Sequence, residues 1–312
     1  TKVSLGDKLA SPTPTPSLTV EPTVTPVELT LITPTSTLTT PATPTPTPVY
    51  RLAFTKWDGG KHTVWLADTA GHNQKPLLGF AASPSWSPDG KNLAFLGEQG
   101  IDSLVGSGSG GVWRMTEQGW ARPIKEDGAA RTVAWMPAGT SIAFDAAHGG
   151  PDFRIYFVDS FGTDQAGAIP GEHPAWSPDG AELVVRACRP NCGLWIVNRS
   201  DTVARQLTFG AGDGLPAWSP DGDKIAFSRG SPTDIFVIDA AGSAEPEQLT
   251  EAAGHDFLPA WTPDSQRLVF RSARNGRWQI FIMNADGSDP QMIIDQAPVS
   301  DNWPLDRMSV TE

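Results

Sequence analysis

The chain has 312 residues, a net charge of −12 and a pI near 4.8. Nucleic-acid phosphates demand basic surface, so this charge argues against such a partner. No stretch approaches the roughly 20 apolar residues of a membrane span, and at 39% hydrophobic content the chain can bury one large core or two ordinary ones. It begins at Thr1 with no cysteine nearby, which gives the expectation of an exported protein whose signal segment was removed and which carries no lipid anchor.

Residues 1–49 read as an arm or stalk. Ser11-Pro12-Thr13-Pro14-Thr15-Pro16 and Pro41-Ala42-Thr43-Pro44-Thr45-Pro46-Thr47-Pro48 are threonine-proline repeats that hold neither a helix nor a sheet interior. They favour extended polyproline II. Hydroxyls beside prolines are also the composition of O-glycosylated stalks, with Thr13, Thr15, Thr23, Thr25, Thr33, Thr35, Thr43, Thr45 and Thr47 as candidate acceptors. Between the repeats, Val27, Leu29 and Leu31 alternate like a strand, the pattern expected of an intersubunit strand that docks on a neighbouring copy.

From residue 50 onward one phrase returns. Pro216-Ala217-Trp218-Ser219-Pro220-Asp221-Gly222 has close copies at Pro84–Gly90 and Pro174–Gly180, weaker ones around Trp135 and Trp261, and an eroded one at Trp303. The six tryptophans are separated by 49, 41, 42, 43 and 42 residues. Ser-Pro-Asp-Gly is turn chemistry: proline presets φ, aspartate bonds nearby backbone, and glycine takes the left-handed position. After each turn comes a short apolar run: Leu93-Ala94-Phe95, Ile142-Ala143-Phe144, Leu183-Val184-Val185, Ile225-Ala226-Phe227 or Leu268-Val269-Phe270. A third run, such as Ile235-Phe236-Val237-Ile238, and a short fourth one complete four strands per repeat. A period near 42 with this content is that of a propeller blade.

Leu52-Ala53-Phe54 has no tryptophan strand before it, and Trp303 has no apolar run after it. The expectation is ring closure, with the C-terminal strand around Trp303 completing the blade that begins at Tyr50. The Trp-Ser-Pro-Asp-Gly hairpin at this period resembles the repeat of TolB-like six-bladed β-propellers, a WD40-like repeat also found in the propeller domains of prolyl-oligopeptidase-type enzymes. The resemblance covers residues 50–312 and implies an all-β fold of six four-stranded blades. In that family the blades serve as partner platforms, ligand sensors or gates over hydrolase domains. Relative to it, the small domain that precedes the TolB propeller is missing, and so is any hydrolase domain.

Chemistry is sparse. Gly106-Ser107-Gly108-Ser109-Gly110-Gly111 is out of register for a nucleophile elbow and reads as a surface loop. No phosphate loop, paired metal histidines or triad order is present, so the expectation is no catalytic residue, no cofactor and no metal. Cys188 and Cys192, in Cys188-Arg189-Pro190-Asn191-Cys192, read as a disulfide stapling a hairpin loop in an oxidising compartment. Upstream of the tryptophan strands stand Arg131, Glu172, His173, Asp213, His255, Asp256 and Asp301, which a propeller gathers at one mouth of its channel as a candidate acidic site for a cation or a basic side chain. Asp286 and Asp289 read as turn residues, and Trp57, Trp120 and Trp278 as surface anchors or edge packing.

The expected function is therefore a non-enzymatic extracellular or cell-surface structural or adhesion protein, a filament subunit self-associating through an O-glycosylated arm. The alternative is a TolB-like envelope protein-protein interaction or ligand-binding platform that uses the channel mouth.

Overall fold

In the computed structural model of the chain, the described residues are 47–98, 110–148, 152–189, 191–295 and 306–312. Those from Thr47 on belong to one compact unit. The arm calls, from Thr13 to Thr45 with Val27, Leu29 and Leu31, lie outside the described residues, as do Asp301, Trp303 and most of the glycine-serine loop. Thr47 is described and exposed.

Among the described residues the strands form six antiparallel sheets of four. The innermost strands are Met308–Thr311, Ala81–Trp86, Ala130–Trp135, Glu172–Trp176, Gly214–Trp218 and Asp256–Trp261. The fifth blade is typical: Gly214–Trp218, Lys224–Gly230, Thr233–Asp239 and a two-residue outer strand, Glu247–Gln248. The ring is closed by a C-terminal strand as the repeat count requires, and that strand is Met308–Thr311. It pairs antiparallel with Arg51–Trp57 in the register Arg51↔Thr311 to Phe54↔Met308. Each end of the unit thus contributes to one sheet, and no inner edge is left open there.

The repeated turn closes through one network. In the fourth blade Ser177 Oγ donates to Asp179 Oδ1 at 2.6 Å and accepts from Glu182 N at 2.9 Å. Asp179 Oδ1 also accepts from Ala181 N at 3.0 Å, and Gly180 N donates to Ser177 O at 2.8 Å. Ser87, Ser219 and Thr262 repeat the pattern with Asp89, Asp221 and Asp264. Met136-Pro137-Ala138-Gly139 keeps only the backbone bond.

The core lies between blades. Along the second strands large residues face one neighbour and small ones the other: Ile225 and Phe227 pack toward the fourth blade, Ala226 against Trp261 and Phe270 of the sixth. A sheet covered on both faces is apolar on both, and a buried phenylalanine contributes about 2–3 kcal/mol. Leu52, Phe54 and Met308 meet Phe257, Leu258 and Val269 across the closing joint. Cys188 and Cys192 are disulfide-bonded directly across the hairpin of the fourth blade.

Candidate functional site

Each inner strand begins at one end of the channel and runs toward the Ser-Pro-Asp-Gly turns at the other. Near the start lies an irregularity. Ser83, His173, Leu215 and Leu258, each followed by proline, have φ of 51–58°. The pairing register shifts across these positions. A residue before proline ordinarily stays extended, so this is a bulge imposed by the ring, and it frees backbone groups from the ladder. Val133 replaces the proline in the third blade, and Thr132 before it has no positive φ.

The structure brings three of the expected mouth residues together and separates the others. Arg131 lies 3.7 Å from Glu172, and His173 lies 4.0 Å from it. Arg186, opposite Glu172 on the paired strand, makes a close ion pair with the same carboxylate. Asp213, fully buried, accepts from Arg229 Nε at 2.6 Å and Nη2 at 2.8 Å, and from Gly210 N at 3.2 Å. Asp256 accepts from Arg274 Nη2 at 2.8 Å. His255 Nδ1 is tied to Thr233 of the preceding blade, at 3.0 Å from its N and 2.8 Å from its Oγ1. Among the described residues the mouth is therefore not a field of free carboxylates. Glu172, Asp213 and Asp256 each meet an arginine of their own blade.

Two of those arginines, Arg229 and Arg274, also lie over rings. Arg229 lies 5.1 and 5.0 Å from the Phe227 and Phe236 centroids, and Arg274 lies 4.5 Å from that of Phe281. Arg131 lies 4.4 Å from the Phe153 ring. Beside them Phe209, on the connection into the fifth inner strand, is 76% exposed. Arg186, Arg229, Arg274 and Phe209 were not singled out from sequence. The available signal was the arginine that follows the apolar run of the second strand, in Val185-Arg186 and Ser228-Arg229.

Deeper in, Asp145 accepts hydrogen bonds from Thr132 N at 2.8 Å, from Thr132 Oγ1 and from His173 N at 3.2 Å. Burial nevertheless pushes its carboxyl above the usual range. Burial, reinforced by Arg307, Arg131 and Arg186, holds the His173 imidazole well below its ordinary value, so it is neutral at pH 7. Asp145, Glu172 and His173 offer ligand atoms within 4.8 Å of one another. The three guanidinium groups around them oppose a divalent cation there. On the channel axis Arg307 donates to Pro174 O and Pro216 O, both at 3.2 Å. Burial lowers it to about 10, with Asp145 opposing, so it stays cationic.

Of the tryptophans outside the repeat, Trp278 packs edge-on against Phe257 at 4.9 Å and Trp57 against His62 at 4.6 Å. Trp120 is 77% exposed. Asp286 accepts from Ser288 N at 3.0 Å, a turn bond. No helix among the described residues is long and apolar enough to cross a membrane.

The TolB β-propeller domain model matches residues 213–303. No curated protein sequence matches the chain. Among solved structures, TolB from Acinetobacter baumannii is similar with a TM-score of 0.69 and 20% identity, over 84% of this chain and 66% of that one. The chain thus spans just under two thirds of that relative's length. Putative TolB from Agrobacterium tumefaciens gives 0.60 and 21%, over 84% and 97%. The propeller domain of the Trilobed protease from Pyrococcus furiosus, described as having an open velcro topology, gives 0.52 and 14%, over 80% and 83%. At these identities the likeness is one of fold, and the sealed ring differs from that open one. The chain is a six-bladed β-propeller similar in fold to TolB, and its residues 213–303 match the TolB β-propeller domain.

Proposed function

We propose that this protein is a non-enzymatic, exported interaction platform that holds a partner protein across the channel mouth where the inner strands begin. One observation supports the reading above others: arginines paired to Glu172, Asp213 and Asp256, with Phe209 exposed beside them. Arginine and aromatic groups on a rigid frame are the composition of binding hot spots, and prepaired charges lose little freedom on docking. The TolB-like fold agrees with an envelope protein-protein interaction role, and the Cys188–Cys192 disulfide agrees with an oxidising compartment. A photo-crosslinking side chain at position 209, expressed in the native host, should yield a discrete adduct that the same group at position 120 does not. Adducts from position 120 alone, or identical patterns from both, would overturn it. Asp213→Ala with Asp256→Ala should abolish the adduct.

The finer reading, a filament or adhesion subunit whose threonine-rich arm is glycosylated and docks on a neighbour, is supported by the composition of residues 11–48. Removing residues 1–46 should then abolish polymer in electron micrographs, and the intact protein should carry hexose in mass spectra. Unchanged assembly would dismiss the arm's role.

A further inference from the structure

The far end of the channel carries a different chemistry from the mouth. Two contiguous cavities, of about 250 and 350 Å³, occupy the channel on the Ser-Pro-Asp-Gly side. Both are walled by Trp135, Trp176, Trp218 and Trp261. Their indole nitrogens are already bonded, to Gly139, Ala134, Gly222 and Ala217 carbonyls, so the rings present mainly apolar surface. Arg307 lines the inner cavity, and among the described residues no carboxylate does. The acid on the outer one is Glu312, exposed at its rim.

Arg307 is short of a counter-ion. Its hydrogen bonds to Pro174 O and Pro216 O use two of the five N–H donors a guanidinium offers, and both acceptors are neutral carbonyls. Asp145 attracts it but makes no ion pair with it within 4.0 Å, and the Asp145 oxygens are already occupied by Thr132 and His173. Arg307 is only partly exposed, a cation drawn from water without a paired anion is costly, and the planar fork matches a carboxylate.

We propose that this channel segment binds a small carboxylate with an apolar body, which enters from the Ser-Pro-Asp-Gly face, packs between the tryptophans and sets its anionic group on Arg307. The cavities have the size of a small-molecule site, and apolar walls with one placed charge are its usual composition. This inference is independent of the partner surface at the mouth.

Phenylacetate and its neutral isostere phenylacetamide are suitable probes, titrated against the protein's tryptophan fluorescence. Phenylacetate should give a saturable change, and phenylacetamide should bind about tenfold more weakly or worse, the size of a lost charge-assisted hydrogen bond. Arg307→Gln should remove the preference for the acid while leaving the folded protein's circular dichroism unchanged. The isostere comparison needs only the native chain, so the test survives if that variant fails to fold. Equal binding of acid and amide, no saturation by phenylacetate up to about 10 mM, or an undiminished preference in folded Arg307→Gln would overturn the proposal.

Discussion

Arg229 grips Asp213 through two hydrogen bonds, of 2.6 and 2.8 Å, from a guanidinium still partly open to solvent to a carboxylate that has none. The asymmetry matters energetically. Asp213 cannot be left without its partner, whereas Arg229 can turn to water. Asp213→Ala removes the buried charge itself and strands Arg229 and Gly210 N, so the expected loss is about 2–3 kcal/mol, below that of a fully buried pair. Arg229→Ala should cost at least as much. Urea unfolding of both variants measures the order.

The neutral imidazole of His173 makes stability depend on pH. Its folded-state value lies well below 6.5, while the unfolded chain takes up a proton near 6.5. Between those limits the unfolded state binds more protons, so stability falls as pH falls, by about 1.4 kcal/mol per unit while the difference persists. Asp145, raised by burial, acts in the opposite sense over its own window above 3.8. Comparing native protein with His173→Gln isolates the histidine. The variant should lose less stability between pH 7 and pH 5.5 in the same urea titration.

The third blade lacks the side-chain part of the turn network, and Ala138 is exposed where the other blades have aspartate. Ala138→Asp should accept from Thr140 N as Asp179 does from Ala181 N, raising stability by about 0.5 kcal/mol. Conversely, Ser177→Ala removes a buried hydroxyl that donates to Asp179 Oδ1 and accepts from Glu182 N, and should cost about 1–2 kcal/mol. Thermal melts of the two variants should move in opposite directions.

Closure rests on five residues. Within them the strand Met308–Thr311 completes the first blade, and Ser309 Oγ accepts from Trp86 N at 3.1 Å in the next. A chain ending at Arg307 exposes the Arg51–Trp57 edge and forfeits the burial of Met308, worth about 2 kcal/mol alone. Its melting temperature should drop by on the order of 10 °C, and size-exclusion chromatography should show association through the bared edge.

The repeat was legible because its residues act locally. Proline, aspartate and glycine dictate a turn wherever they stand in that order, and a two-residue alternation dictates a strand, so blade number and the need for closure followed from spacing alone. The site was legible only in part. Glu172, Asp213 and Asp256 were found as polar residues entering inner strands, but Arg186 and Arg229 stand on the neighbouring second strands and Arg274 just past its own, 14, 16 and 18 residues on. Pairing register, not proximity in sequence, puts them in contact.

By itself, then, the sequence determined an all-β ring of six like sheets and a disulfide hairpin, since both arise from short-range chemistry repeated at a fixed interval. Only the tertiary structure decided that the closing strand is Met308–Thr311, that Glu172, Asp213 and Asp256 at the mouth are already paired, and that Arg307 stands on the channel axis among proline carbonyls. Those outcomes depend on where six chain segments far apart in sequence meet, and on bulges that the ring forces upon residues such as His173 and Leu215, whose local preference is to stay extended.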